Sequence, residues 1–260
     1  MMGKILWNKK YSGFVWHFIF TLPFIGLSLL FMQFASGAVW FLISSLLRIV
    51  FGLGILFIAC KLFELKHGEI LSFKNMKCAL FAGTGFFLFF LFFLIQVISG
   101  FGGITGLTLG IFLTRVFLQQ LTTGFYEEIN YRFLLLEGLK HTANTVGMKL
   151  LYVLSSTVLF GLLHCVTGWD TYRFLTTAAI GFAFAVIFVK SGNIVLTMIL
   201  HFVYDLLVHI AAFVQWNNNP LFDGICAWAE VAYVVMFIVS LVILIYSPHK
   251  CNTDCANIKK

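Results

Sequence analysis

Stretches of about twenty apolar residues recur along this chain, the length an α-helix needs to cross the hydrocarbon core of a bilayer. Eight segments qualify or nearly qualify: Gly13–Met32, Ala38–Cys60, Cys78–Ile98, Gly106–Leu139, Met148–His164, Phe174–Lys190, Asn193–Val214 and Cys226–Tyr246. The fourth is overlong and reads as two helices or one strongly tilted helix. Composition excludes the other classes. Of the 260 residues 61% are hydrophobic and 10% charged, against roughly 45–50% and 25% in soluble domains. So much apolar surface cannot be covered in water, and 32 Phe are the opposite of a disordered composition. The expected fold is all-α, a polytopic membrane protein with about eight transmembrane helices. It forms a single domain over 1–260, with its polar core at about 106–214.

The first segment resembles a signal peptide, with Ser36-Gly37-Ala38 as a cleavage site. Its apolar stretch exceeds the usual 7–15 residues of such signals, so it reads as an uncleaved span. Charge then orients the bundle. Lys4, Lys9 and Lys10, Lys61, Lys66, Lys74 and Lys77, then Arg132, Lys140 and Lys149, then Lys190, then Lys250, Lys259 and Lys260 all fall on one side of an eight-span map. The opposite loops carry only Arg173. Both termini are therefore expected in the cytoplasm. The net charge of +7 is read as a topology signal and not as a nucleic-acid footprint. The loop Lys61–Lys77, with six large apolar residues among its lysines, is expected to lie along the interface as an amphipathic helix. The six Cys show no disulfide spacing, and Cys251 and Cys255 in the basic tail lack the further ligands of a metal site.

Ionisable side chains inside a bilayer are costly and point to function. Here they are Arg48, Arg115, Glu127, Glu128, Arg132, His164, His201, Asp205, His209 and Glu230. Glu128 and Arg132 are four residues apart, so on an α-helix they pair on one face. Glu127 is then turned about 100° away by the helical period, one carboxylate structural and the next chemical. Adjacent carboxylates also repel, which favours a general base. His201 and Asp205 share a face one turn apart on the seventh segment and point into the same cleft, and His164 ends the fifth. Two His and carboxylates from three helices suit water activation or a divalent metal. Singly, each residue is as readily a packing residue as a chemical one; together they point to a site. His17, His67, His141 and His249 read as packing residues, and His209 extends the His201–Asp205 face by a turn. Arg48 and Arg115 read as partners of acids on neighbouring helices, or as snorkelling side chains.

The order Glu127-Glu128-Ile129-Asn130-Tyr131-Arg132, Phe160-Gly161-Leu162-Leu163-His164, His201-Phe202-Val203-Tyr204-Asp205 resembles the CPBP family of intramembrane proteases. That family comprises the CAAX prenyl endopeptidases of the Ras-converting type and the bacterial Abi proteins. The resemblance implies peptide-bond hydrolysis within the membrane, on a peptide or protein substrate in or at the bilayer. By it, Glu127 activates water with His164, His201 and residue 205 stabilise the oxyanion, and Glu128 with Arg132 supports the site. Two departures stand out: Phe133 replaces the small residue after the motif Arg, which would narrow the cleft, and residue 205 is Asp, not Asn. An ionised Asp205 donates no hydrogen bond, so it serves if protonated, if it orients His201, or as a metal ligand. Two schemes therefore stay open: a divalent metal such as Zn²⁺ on Glu127, His164, His201 and Asp205, or a metal-free glutamate mechanism.

The family branch and compact length imply a bacterial plasma membrane. Prenylated substrates need eukaryotic prenylation, so leader-peptide or bacteriocin processing, or self-immunity, is the expected setting. The chain's own end, Asn257-Ile258-Lys259-Lys260, is no CAAX box. The rival readings are a non-catalytic scaffold of the same fold and a proton-coupled transporter. The latter is opposed by the lack of an internal repeat and of any Pro between Pro23 and Pro220. Depth poses a puzzle. Glu127 lies about 20 Å from a helix end near Lys140, and His201 about 12 Å from Asn193.

Overall fold

The computed structural model describes residues 6–246. Helix α1 is Ser12–Met32 and α2 is Gly37–Phe63. Next, α3 (Met76–Ala82) and α4 (Thr84–Gly100) meet at a 63° bend. Helix α5 occupies residues 109–134. A 3₁₀ turn, Glu137–His141, leads into α6 (Val146–His164), α7 (Thr171–Ser191) and α8 (Ile194–Ala211). The short α9 (Pro220–Cys226) and α10 (Ala229–Tyr246) complete the described chain.

Six helices are long and apolar enough to cross a membrane, seven if the bent α3–α4 pair is one span. The fourth expected segment corresponds to α5, which carries Arg115, Glu127, Glu128 and Arg132 and is not among these spans. The expectation of an all-α polytopic membrane protein therefore holds, with one addition. A two-stranded antiparallel ribbon pairs β1 (Phe101–Ile104) with β2 (Val214–Trp216). It shortens the seventh span, which ends at Ala211 and not at Val214.

Local chemistry explains where the helices begin. Thr145, Asp170, Asn193 and Asn219 each accept the backbone N–H three residues on, capping α6, α7, α8 and α9. Helix α7 ends at Gly192, whose φ of +67° suits a residue without a Cβ. The loop expected to form one interfacial helix does not. It holds a single turn, His67–Ile70, because Glu64 and Asn75 take left-handed conformations that break the helical path on either side.

The lysine-bearing loops gather at one end of the bundle. Lys9 Nζ lies 2.9 Å from Glu64 Oε1, tying the start of α1 to the end of α2. Asn75 Nδ2 donates to Ser191 O (2.8 Å), and Asn193 Nδ2 to Lys74 O (2.7 Å). Lys4, Lys250, Lys259, Lys260, His249, Cys251 and Cys255 lie outside the described residues.

Helix α7 is the hub, packed on α6, α10 and α3, with Ile180–Phe188 buried without a break. Helix α5 packs on α2, α8 and α1. The outer faces are apolar, as in Ile98 and Val234. In lipid such faces need no cover.

Candidate active site

The chemistry-bearing residues sit on α5, α6 and α8, and α5 is wound unusually. Leu109–Ile111 and Gln119–Glu127 are α-helical, whereas Phe112–Leu118 and Glu128–Leu134 form π-helical turns. Such i→i+5 turns concentrate at functional sites. The second begins at Glu128, so the winding changes between the two adjacent glutamates. Every residue from Tyr126 to Leu139 is buried.

Both glutamates reach one ring, each at a different nitrogen. Glu128 Oε1 lies 2.9 Å from His201 Nδ1, and Glu127 Oε2 lies 3.8 Å from His201 Nε2. Glu127 lines the cavity, and Glu128 does not. Asp205 Oδ2 lies 3.3 Å from the same Nε2, so the one-turn spacing on α8 brings it to His201 as expected. Glu128 Oε2 also lies 3.5 Å from Arg132 Nε. The Arg132 guanidinium is fully buried, 4.0 Å from the centre of the Phe160 ring, and Phe184 of α7 lies on it at 5.9 Å. Glu128 thus joins a buried cation to the imidazole.

Two glycines allow these approaches. A Cβ at Gly124 would lie 3.0 Å from Met198 O, so its absence lets α5 close on α8. One at Gly181 would meet Phe160 Cδ1 at 2.7 Å, displacing the ring that covers Arg132.

His164 is half-buried at the end of α6. Its Nδ1 lies 2.9 Å from Phe160 O. A carbonyl only accepts, so Nδ1 carries a proton there. Glu127, His164, His201 and Asp205 all line one cavity of about 470 Å³. Glu127 Oε2 is buried there with no hydrogen-bond partner. His209 and Arg48 line the same cavity. Arg115 instead faces the rings of Phe41 and Phe213, and Glu230 lines a separate, largely apolar cavity of about 520 Å³.

The depth puzzle resolves without tilt. The helix bearing Glu127 ends near Leu134, not near Lys140, which puts Glu127 no more than about 11 Å from that end at 1.5 Å per residue. His201 lies about 11 Å from Ile194, the first residue of α8, by the same rise. Phe133 does not narrow the cleft. It is buried against Phe63 and Phe188, on the side of α5 away from the cavity.

A metal ion requires several convergent donors. Among the described residues no three His, Cys, Asp or Glu side chains are grouped to hold one. His201 Nδ1 faces Glu128, and His164 Nδ1 faces a backbone carbonyl.

Sequence reasoning undervalued two groups. Asn130 lies inside the motif, and its amide bonds His17 Nδ1 (3.0 Å) and Thr21 Oγ1 (2.8 Å) of α1, anchoring the π-wound segment. The other is Arg48, whose place in the cavity only packing reveals.

The family model described as Type II CAAX prenyl endopeptidase Rce1-like matches residues 109–207. That segment is similar to the Rce1-like family. The matched segment starts at the first residue of α5 and ends two residues beyond Asp205, so it holds all six motif residues. It supports an intramembrane CAAX-type protease in general terms and leaves α1–α4, α9 and α10 outside the match. No curated protein and no solved structure matches the chain.

Proposed function

We propose that this protein is an intramembrane endopeptidase in which Glu127 activates the attacking water by a metal-free, glutamate-type mechanism. The observation that carries this reading is the buried Glu127 Oε2, without a hydrogen bond, in the cavity beside His201. A carboxylate oxygen free of a hydrogen bond is a ready proton acceptor. Water in the cavity gives its proton to Glu127 while its oxygen attacks the scissile carbonyl. The Nε2 lone pair of His164 accepts a hydrogen bond from that water and orients it. Glu128 holds the His201 ring at Nδ1, and the Nε2–H, which lies 3.3 Å from Asp205 in the resting site, turns to donate to the developing oxyanion. Asp205 orients that Nε2–H before substrate arrives, a role its acceptor-only chemistry permits. The proton on Glu127 then passes to the leaving amine.

The substrate in this reading is a membrane-associated or leader peptide, cleaved at the level of the site within the bilayer. The compact chain fits a bacterial plasma membrane, with the lysine-bearing end and both termini in the cytoplasm. Bacteriocin processing or self-immunity is the physiological setting proposed. The test is cleavage of a quenched peptide library by protein stripped with a chelator, with metal content measured by mass spectrometry. Metal-free protein is expected to cleave, and Glu127→Ala to abolish cleavage at normal expression. Activity that tracks a stoichiometric bound metal, and is lost with it, would replace this scheme by a metalloprotease. Absence of cleavage under every condition would favour a scaffold.

A further inference from the structure

The active-site cavity has a cationic wall that the hydrolytic scheme does not use. Arg48 of α2 lines it, eleven residues into a 27-residue helix and so about 17 Å from the helix start. A cation at that depth needs an anion. Its Nη1 donates to Ser44 Oγ, which also receives Gln119 Nε2 at 3.4 Å. Its Nε is buried without a hydrogen-bond partner. Among the described residues no carboxylate forms an ion pair with it, and Glu127 and Asp205 act on it only at longer range. The guanidinium therefore retains donors that no group of the protein uses.

Its height above the site follows from the packing of α2 on α5. Ser44 touches Gln119, and a Cβ at Gly52 would meet the Phe125 ring at 2.5 Å. The two helices thus run side by side in the same direction, with Arg48 level with Thr122 and Thr123. That level is about 6–7 Å from Glu127 along the helix. An extended peptide advances about 3.3–3.6 Å per residue, so the distance corresponds to about two substrate residues.

We propose that Arg48 is a specificity-determining residue that binds a carboxylate of the substrate peptide about two residues from the scissile bond. The planar fork of a guanidinium matches a carboxylate in two parallel hydrogen bonds. The carboxylate is either the peptide's own C-terminus or an Asp or Glu side chain. Arg48 lies outside the matched residues 109–207, so this selectivity belongs to the part of the chain around the family segment. The inference rests on the protease reading above.

The test uses the full-length protein in lipid nanodiscs and three quenched peptides of equal length. One ends in a free carboxylate two residues past the cleaved bond, one is its amide, and one is the amide with Glu at that position. Wild type is expected to favour a carboxylate peptide over the plain amide by about tenfold or more in KM. The preferred one of the two identifies the source of the carboxylate. Arg48→Gln should erase the preference in KM, and Arg48→Lys should retain part of it. Equal KM for all three peptides in wild type would overturn the proposal. So would an equal fall of kcat on all peptides in Arg48→Gln, which would make Arg48 a neutraliser of Glu127 and Asp205. Anisotropy of the same labelled peptides on Glu127→Gln protein, with and without Arg48→Gln, reads binding apart from cleavage. An Arg48-dependent preference there, with no cleavage by wild type, would sink the protease reading and keep the carboxylate site. No preference there would overturn the carboxylate site.

Discussion

Helices α5 and α7 both run through the middle of the bundle, and they are built on opposite plans. Helix α7 is a regular α-helix whose apolar stretch is 61% buried, without an ionisable residue between Arg173 and Lys190. It contributes rings, Phe182 against Phe237 and Phe184 against Phe86, Arg132 and His201. Helix α5 buries Glu127, Glu128, Asn130 and Arg132 in succession and switches to π winding among them. Uniform apolar packing places a helix firmly, and it does so without aiming any particular side chain. Charges in a low-dielectric interior must each meet a partner, and meeting them dictates direction. In this molecule one helix locates the site and the other orients it.

Substitutions that separate activity from stability test this division. The largest effect is expected at Glu127. Glu127→Ala should lower kcat/KM by about 10²–10⁴, the usual contribution of a positioned base. The thermal midpoint in detergent should stay put. A fall in stability as large as the fall in activity would return Glu127 to a structural role. Next comes Glu128→Ala, which leaves Arg132 buried without its carboxylate and His201 without its Nδ1 partner. A loss of about 3–5 kcal/mol is expected from denaturant titration, with activity falling too. A variant as stable as wild type would show that Arg132 is held by its aromatic neighbours alone.

Phe182→Ala probes the other plan. The ring is fully buried on the α10 side. Its loss should cost about 2–3 kcal/mol through the cavity left behind, because transfer between protein and lipid adds little for an apolar group. The kcat of the folded fraction should not change. A large kcat effect would mean that α7 orients the site as well as locating it. The smallest effect is expected at Ile98, 73% exposed on α4, where Ile98→Ala should shift stability by less than about 0.5 kcal/mol.

Much of this was legible in residue order. Runs of apolar residues gave the membrane class and, within a few residues, most helix bounds, because a span is a local property of about twenty side chains. The motif residues stood out because ionisable groups in apolar runs are rare. Other features resisted the same reading. The 3.6-residue period turns Glu127 away from Glu128, and it does not show that one histidine meets both, at a different nitrogen each. Phe133 looked like a wall of the cleft, yet it packs against Phe63 of α2 and Phe188 of α7. Arg48 looked like a snorkelling cation or a partner for a neighbouring acid, and its relation to the site depends on α2 lying alongside α5.

The sequence by itself determined that the chain is a helical membrane protein and which ionisable side chains stand within its apolar runs, since both follow from local hydrophobicity and from the cost of charge in lipid. Tertiary structure decided that two adjacent glutamates meet one histidine, and that an arginine from a distant helix faces the same cavity. Those relations are set by side chains far apart in the chain packing and pairing at once, through the glycine contacts, the π turns and the buried ion pair, and no local period encodes them.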